Sequence, residues 1–277
     1  MADTVGARRV VDPVSKAGYE LELEDTFDGD SLDQSRWLPC YLPQWSSREA
    51  SAARYQVGGG ALRLLIEADQ QPWCPEWDGQ NRTSTLQTGV FAGPLGSPVG
   101  QSRFKPDLVV RQAQRPARLY TPQYGLFELR AKALEDPRCM VALWMIGYED
   151  APERSAEICV CEIFGRNVTD GTVGVGMGLH RWFDPSIREE FSVEPIAMDV
   201  DQFHVYTAEW TPDHVAFFVD HRLVKTVEQS PAYPMQFMLG IFEFPDDGQA
   251  SQASYPYPKQ FVVDYFRGYR PARRGAG

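Results

Sequence analysis

The chain has 277 residues, 43% of them hydrophobic and 23% charged, with a formal net charge of −11 at pH 7. That is enough apolar material for one large core, while an acidic excess of this size excludes nucleic acid and anionic membrane as expected partners and suits a neutral ligand. No uncharged apolar run is long enough for a bilayer span or a signal peptide, so the sequence as written reads as cytoplasmic, and a secreted protein with a trimmed leader would read the same way.

Strand signals dominate from the start. YELELED (19–25) alternates Tyr19, Leu21 and Leu23 with Glu20, Glu22 and Glu24, the period of a strand. SREASAARY (47–55) is expected as a short helix. ALRLLIEA (61–68), GLFELRAKA (125–133), MVALWMIG (140–147), EICVCEIF (157–164) and TVGVGMGLHRW (172–182) follow as strands. PSIREEFS (185–192) is the second expected helix. FHVYTAEW (203–210) and VAFFVDHRLVKTVE (215–228) come next, the latter with Asp220-His221 as a hairpin tip. FMLGIFEF (237–244) and QFVVDYFRGY (260–269) close the series. Many strands joined by Pro- and Gly-rich connections, with no linker or repeat, predict an all-β sandwich or barrel. It is expected as a single domain over 1–277, with its core at about 19–271, a short flexible N-terminal arm and a disordered tail, PARRGAG.

The five cysteines, Cys40, Cys74, Cys139, Cys159 and Cys161, are odd in number, irregularly spaced and without a C-x-x-C pair. They read as reduced thiols, neither a disulfide framework nor a metal knuckle. In 172–182 the even positions Gly174, Gly176 and Gly178 carry no side chain and lead to His180 and Trp182, while the odd positions are apolar. A bare strip ending in an imidazole and an indole suits a ligand that approaches the sheet closely, or a strip covered by the chain itself.

SAEICVCEIFG (155–165) carries Glu157 and Glu162 five positions apart. On a regular strand an odd separation puts two side chains on opposite faces. A one-residue bulge between Cys159 and Glu162 would bring Glu157, Cys159 and Glu162 to one face, with the glutamate Cα atoms roughly 13 Å apart. The competing reading is one exposed and one salt-bridged glutamate.

Here the chain resembles glycoside hydrolase family 16, the laminarinase and lichenase group. That family carries E-[strand former]-D-x-x-E in its bulged form, and the segment reads Glu157-Ile158-Cys159-Val160-Cys161-Glu162. LEDTFDGDSLDQSRW, QYGLFELRAKA, ALWMIG, FHVYTAEWTPDHVAFFVD and FVVDYFRGYRP resemble further family blocks in order. The resemblance implies a β-jelly roll of two antiparallel sheets with a cleft across the concave one. It also implies retaining, endo-acting hydrolysis of β-linked glycans, with β-1,3-glucan expected because the bulged motif resembles the laminarinase branch.

By the same resemblance Glu157 is the nucleophile. Glu162 is the acid and then the base, its carboxyl raised by desolvation and by the charge of Glu157. Trp144 forms the cleft floor, and His180 and Trp182 contact sugar, with Trp45, Trp73 and Trp77 in segments suited to cleft walls. Cys159 stands where the family has an aspartate that orients and tunes the nucleophile. It is expected as an inert thiol with a weak hydrogen bond to Glu157. A non-catalytic carbohydrate-binding protein and a transglycosylase are the alternatives. A monomer that takes an oligo- or polysaccharide and needs no cofactor is expected. The resemblance allows a structural calcium near Asp264, where one carboxylate falls well short of six to eight oxygens. Glu243 either faces the cleft or pairs with an arginine. His204 and His214 are expected as structural, and His221 as exposed.

Overall fold

A computed structural model describes residues 16–245, 248 and 255–272. The expected N-terminal arm and most of the expected tail lie outside the described residues. The strands in chain order are β1 (Tyr19–Asp25), β2 (Arg54–Val57), β3 (Leu62–Ile66), β4 (Arg82–Gln87), β5 (Gly89–Val90), β6 (Ala117–Arg118), β7 (Gly125–Ala131), β8 (Cys139–Gly147) and β9 (Glu157–Phe164). They continue with β10 (Val168–Thr169), β11 (Thr172–His180), β12 (Glu190–Ile196), β13 (His204–Trp210), β14 (Val215–Val219), β15 (Arg222–Val227), β16 (Met235–Glu243) and β17 (Lys259–Pro271). One sheet runs β15-β14-β13-β7-β17-β3-β2 with β1 on β17, and the second runs β10-β11-β9-β8-β16-β4 with β12 on β11. Pairing is antiparallel throughout both. The two sheets form the β-jelly roll that the family resemblance implies.

Period-two alternation builds the core between them. Phe127, Leu129 and Ala131 of β7 meet Val141, Leu143 and Met145 of β8, with Val173, Val175, Met177 and Leu179 of β11 and Phe237, Leu239 and Ile241 of β16. The opposite face of β8 and β16 is also dry. Met140, Ala142, Trp144, Ile146, Met238 and Phe242 pack under Leu42, Trp45, Trp73, Leu108 and Val110 from three long connections. Those connections are braced by buried amides. Trp45 Nε1–H and Gln44 Nε2–H both donate to Gln101 O, at 2.9 and 3.0 Å, and Gln101 Nε2–H donates to Gln236 Oε1 at 2.6 Å. Central strands buried on both faces carry near-continuous apolar runs, which is why MVALWMIG and FMLGIFEF stand out in the sequence.

Neither expected short helix forms. In 47–55 the backbone is taken by tertiary pairing: Cys40 bridges Ala52, and Ala53 N–H donates to Pro39 O at 3.0 Å before β2 begins. In 185–192 the last residues pair with β11, Glu190 facing Leu179. The one α-helix among the described residues is Pro75–Asp78. Strand β4 carries no apolar alternation, because Thr83, Ser84, Thr85 and Gln87 are buried polar residues that bond their neighbours. Thr83 Oγ1–H donates to Ile241 O at 3.0 Å and Ser84 Oγ–H to Leu65 O at 2.6 Å. The Asp220-His221 tip is present between β14 and β15, with φ of 47° and 65°, the left-handed pair a two-residue hairpin turn requires.

The glycine strip of β11 is covered by the chain itself. A Cβ on Gly176 would lie 2.5 Å from Phe191 Cζ, and one on Gly174 2.9 Å from Val193 Cγ1, both side chains from β12. At Gly178 the obstruction is backbone: a Cβ would sit 2.2 Å from Glu190 O, at φ +139°. Gly178→Ala therefore combines backbone strain with loss of the β11–β12 register. It should destabilise the protein by about 2–4 kcal/mol, measured as a lower urea midpoint.

Candidate active site

The register of β9 answers the parity problem. Against β8, Glu162 pairs Ala142 and Cys161 pairs Leu143, and then Cys159 pairs Trp144, so Val160 is left over. Against β11, the three steps from Cys159 to Glu162 oppose the two from Gly178 to Gly176. The consecutive residues Val160 and Cys161 both enter the main core, as do Ile158 and Ile163. That is the signature of a bulge, and it lies where the sequence places it. Glu157, Cys159, Glu162 and Phe164 consequently line one cavity of about 330 Å³.

The same cavity takes Trp144, His180 and Trp182, so the two glutamates, Cys159 and the three expected sugar contacts meet here. Trp144 lies in the apolar bed beside Phe242, ring centroids 5.6 Å apart. Of the three candidate wall tryptophans, Trp73 lines the cavity, edge-on to Tyr41 at 4.7 Å. Trp45 is instead buried in the second apolar cluster, and Trp77 packs against it. Sequence reasoning missed Tyr41, Asp78, Ser102, Phe104 and Phe244, all cavity residues from loops or an element end. Asp78 accepts from Trp73 Nε1–H at 2.6 Å and Asn81 Nδ2–H at 3.1 Å. Its place in W-C-P-E-W-D, among aromatics, was the one available signal.

Burial sets the electrostatics. Glu157 is 9% exposed. Loss of water pushes its carboxyl up to about 7, opposed by the charge of His180 and by the Trp182 hydrogen bond, and helped by Glu162 and Glu189. Trp182 Nε1–H donates to Glu157 Oε2 at 3.0 Å. Desolvation likewise raises Glu162, with His180 and Arg166 pulling it down. His180 is held by Glu189, Nδ1 to Oε1 at 2.5 Å, and stacks on Phe191 at 4.5 Å between centroids. A further buried carboxyl, Glu149, is pushed up to about 8 by desolvation, although it accepts from Ser102 N–H at 2.6 Å.

Cys159 departs from expectation in one respect. Its Sγ–H points to the carbonyl of Gly176, 3.8 Å away, and not to Glu157. The bulged register sets Cys159 opposite Gly178, and the nearby strand carbonyl of Gly176 is the acceptor the thiol reaches. Burial, then the charges of Glu162 and Glu157, raise the thiol well above its usual range, as an inert thiol requires.

Other expectations resolve as structure. Glu243 pairs with Arg82 Nη1 at 3.3 Å and accepts from Tyr257 O–H at 2.7 Å. His204 bonds Asp220 at 2.6 Å and His214 bonds Thr211 at 3.1 Å. Asp264 is engaged by Arg130 at 2.5 Å. Among the described residues no group of three or more His, Cys, Asp or Glu could hold a metal ion.

The family described as Glycosyl hydrolases family 16 matches residues 119–258, half of the chain and the part that holds the bulged acidic strand. The chain belongs to glycosyl hydrolase family 16. A β-glucanase of Rhodothermus marinus is 26% identical over 91% of this chain and 85% of its own. A GlcNAcα1-4Gal releasing endo-β-galactosidase from Clostridium perfringens is similar in structure, with 29% identity and a TM-score of 0.77. That alignment covers 94% of this chain, which spans 65% of the clostridial chain's length. The laminarinase of Rhodothermus marinus superposes with a TM-score of 0.63 over 92% of this chain and 98% of its own. At 22% identity that likeness concerns the fold.

Two measurements check the site. The folded pKa of Glu157 lies above its unfolded value, so folding favours the protonated form. Ionisation then costs stability as pH rises from about 4.5 to about 7. Glu157→Gln should therefore gain stability over the parent across that window, levelling at roughly 3 kcal/mol or less, read from denaturation midpoints against pH. The five cysteines are free and buried. A thiol reagent such as DTNB should label none in the native protein and all five in denaturant, and rapid native labelling of a thiol would contradict the placement.

Proposed function

We propose that this family 16 member is a retaining, endo-acting hydrolase of β-linked glycans. The observation that carries the reading is the bulge that sets Glu157 and Glu162 into one cavity. The Glu157 carboxylate attacks the anomeric carbon while Glu162 protonates the departing glycosidic oxygen, giving a glycosyl ester on Glu157. Glu162, now ionised, takes a proton from water, whose oxygen attacks the same carbon and releases the ester with retained configuration. Hydrolysis fits the desolvated pair: loss of water favours the protonated form of Glu162, the form in which it can act as the acid. Aromatic walls at Tyr41, Trp73, Trp144 and Trp182 suit the apolar faces of pyranose rings.

β-1,3-Glucan is the first substrate to test, on the bulged motif and the β-glucanase relative. A β-galactoside is the second reading, favoured by the likeness to the clostridial endo-β-galactosidase in sequence and structure. Cys159 keeps the binding-protein alternative in play, because no acidic group stands between the two glutamates.

A reducing-end assay over laminarin, mixed-linkage glucan, agarose and galactan separates these readings. At least one polymer should release new ends, with proton NMR showing the β-anomer first. Glu157→Gln should lower turnover by at least about 10³-fold. Oligosaccharide binding without new ends would instead support the binding protein. Longer products at high oligosaccharide concentration would support a transglycosylase.

A further inference from the structure

We propose that Trp182 is the positioning residue for Glu157, holding the carboxylate through its indole N–H where the side chain at Cys159 does not. The inference rests on the reading of Glu157 as nucleophile.

Cys159 cannot orient Glu157, because its thiol is committed to the Gly176 carbonyl. The directional contact that the Glu157 carboxylate receives comes instead from Trp182 Nε1–H, at 3.0 Å to Oε2. Burial does not explain the place of this indole, which is 45% exposed. Nor does local backbone preference, since Trp182 sits at φ +45°, a conformation bulky residues avoid unless their surroundings impose it.

The surroundings do impose it. Arg181 N–H donates to Glu189 Oε2 at 3.1 Å on one side, and Phe183 N–H donates to Ser155 Oγ at 3.0 Å on the other. One residue further on, buried Asp184 accepts from Tyr233 O–H at 2.6 Å. The same tyrosine oxygen accepts from Ala156 N–H at 2.8 Å. Ala156 immediately precedes Glu157, so the turn that aims the indole and the strand that carries the nucleophile are fastened to a single hydroxyl. A pinned turn in an unfavourable conformation, aimed at a reacting group, is the arrangement expected of a positioning device.

The chemistry fits the role. An indole N–H is a donor only, without charge. It favours the ionised carboxylate, fixes one oxygen and leaves the other for attack on the anomeric carbon. It also adds no third charge beside Glu162, as an ionised aspartate at position 159 would. The titratable groups facing Glu157 are Glu162 and Cys159 from β9, His180 from β11, Glu189 from the turn after it, and Tyr41 from the 38–53 connection. Of these only His180 helps Trp182 to lower the carboxyl.

The test titrates Glu157 without substrate. Stability is measured against pH for the parent and for Glu157→Gln, and again with both chains carrying Trp182→Phe. A parallel pair carries 3-benzothienylalanine at position 182, where sulfur replaces N–H at nearly unchanged shape. The pH at which the Glu157→Gln gain levels off reports the carboxyl's folded pKa. It should rise by about one unit in both indole-free backgrounds, and the acid limb of kcat/KM on the polymer that the parent cleaves should rise with it. If Trp182→Phe disturbs folding, the benzothienylalanine pair decides. A shift below about 0.3 unit in that pair overturns the inference, whatever happens to kcat. If Glu157→Gln retains parental turnover, the nucleophile reading fails instead, and the titration still shows whether Trp182 holds the carboxylate.

Discussion

Side chains five positions apart on an unbroken strand face opposite ways, and the site exists because β9 does not stay unbroken. Val160 is the residue without a partner on β8. Its insertion lets two consecutive apolar side chains fill the core while the acids on either side turn the same way. Its removal would break the pairing of Glu157 with Glu162, since every residue beyond the deletion would exchange faces.

The fold was legible wherever side-chain polarity followed strand geometry. The β8 and β16 runs, the hairpin tip at Asp220-His221 and the acidic strand could be read directly. Legibility failed where polar residues do structural work. The buried hydroxyls of β4 satisfy neighbouring carbonyls and so lack an apolar period. The two segments expected as helices hold residues with adequate helix propensity, but their backbone groups are taken by distant strands, and tertiary pairing overrides a weak local preference. In the site, Glu157, Glu162, His180 and Trp182 could be placed because they share or adjoin two strands. Asp78, Tyr41 and Ser102 could not, because long connections bring them in from distant sequence.

The departure at Cys159 changes the electrostatic problem more than the shape. A neutral buried thiol adds no charge to a cavity already holding two desolvated carboxyls, and its hydrogen bond goes to the backbone. Opposing the upward push of burial on Glu157 then falls to groups beyond β9. His180 is held by Glu189, while Trp182 supplies a directed donor. Both lie at the end of β11 or in the turn after it, so the groups that oppose burial at Glu157 come from the neighbouring strand and its turn.

The apolar cluster on the outer face of β8 and β16 ties recognition to stability. Trp73 both walls the cavity and packs in that cluster, and Trp144 does the same from the sheet. A change of sugar preference achieved by altering these walls would also loosen the seal that keeps water from two central strands. Such a lineage would be expected to drift in specificity through residues like Ser102, which lines the cavity without packing in that cluster.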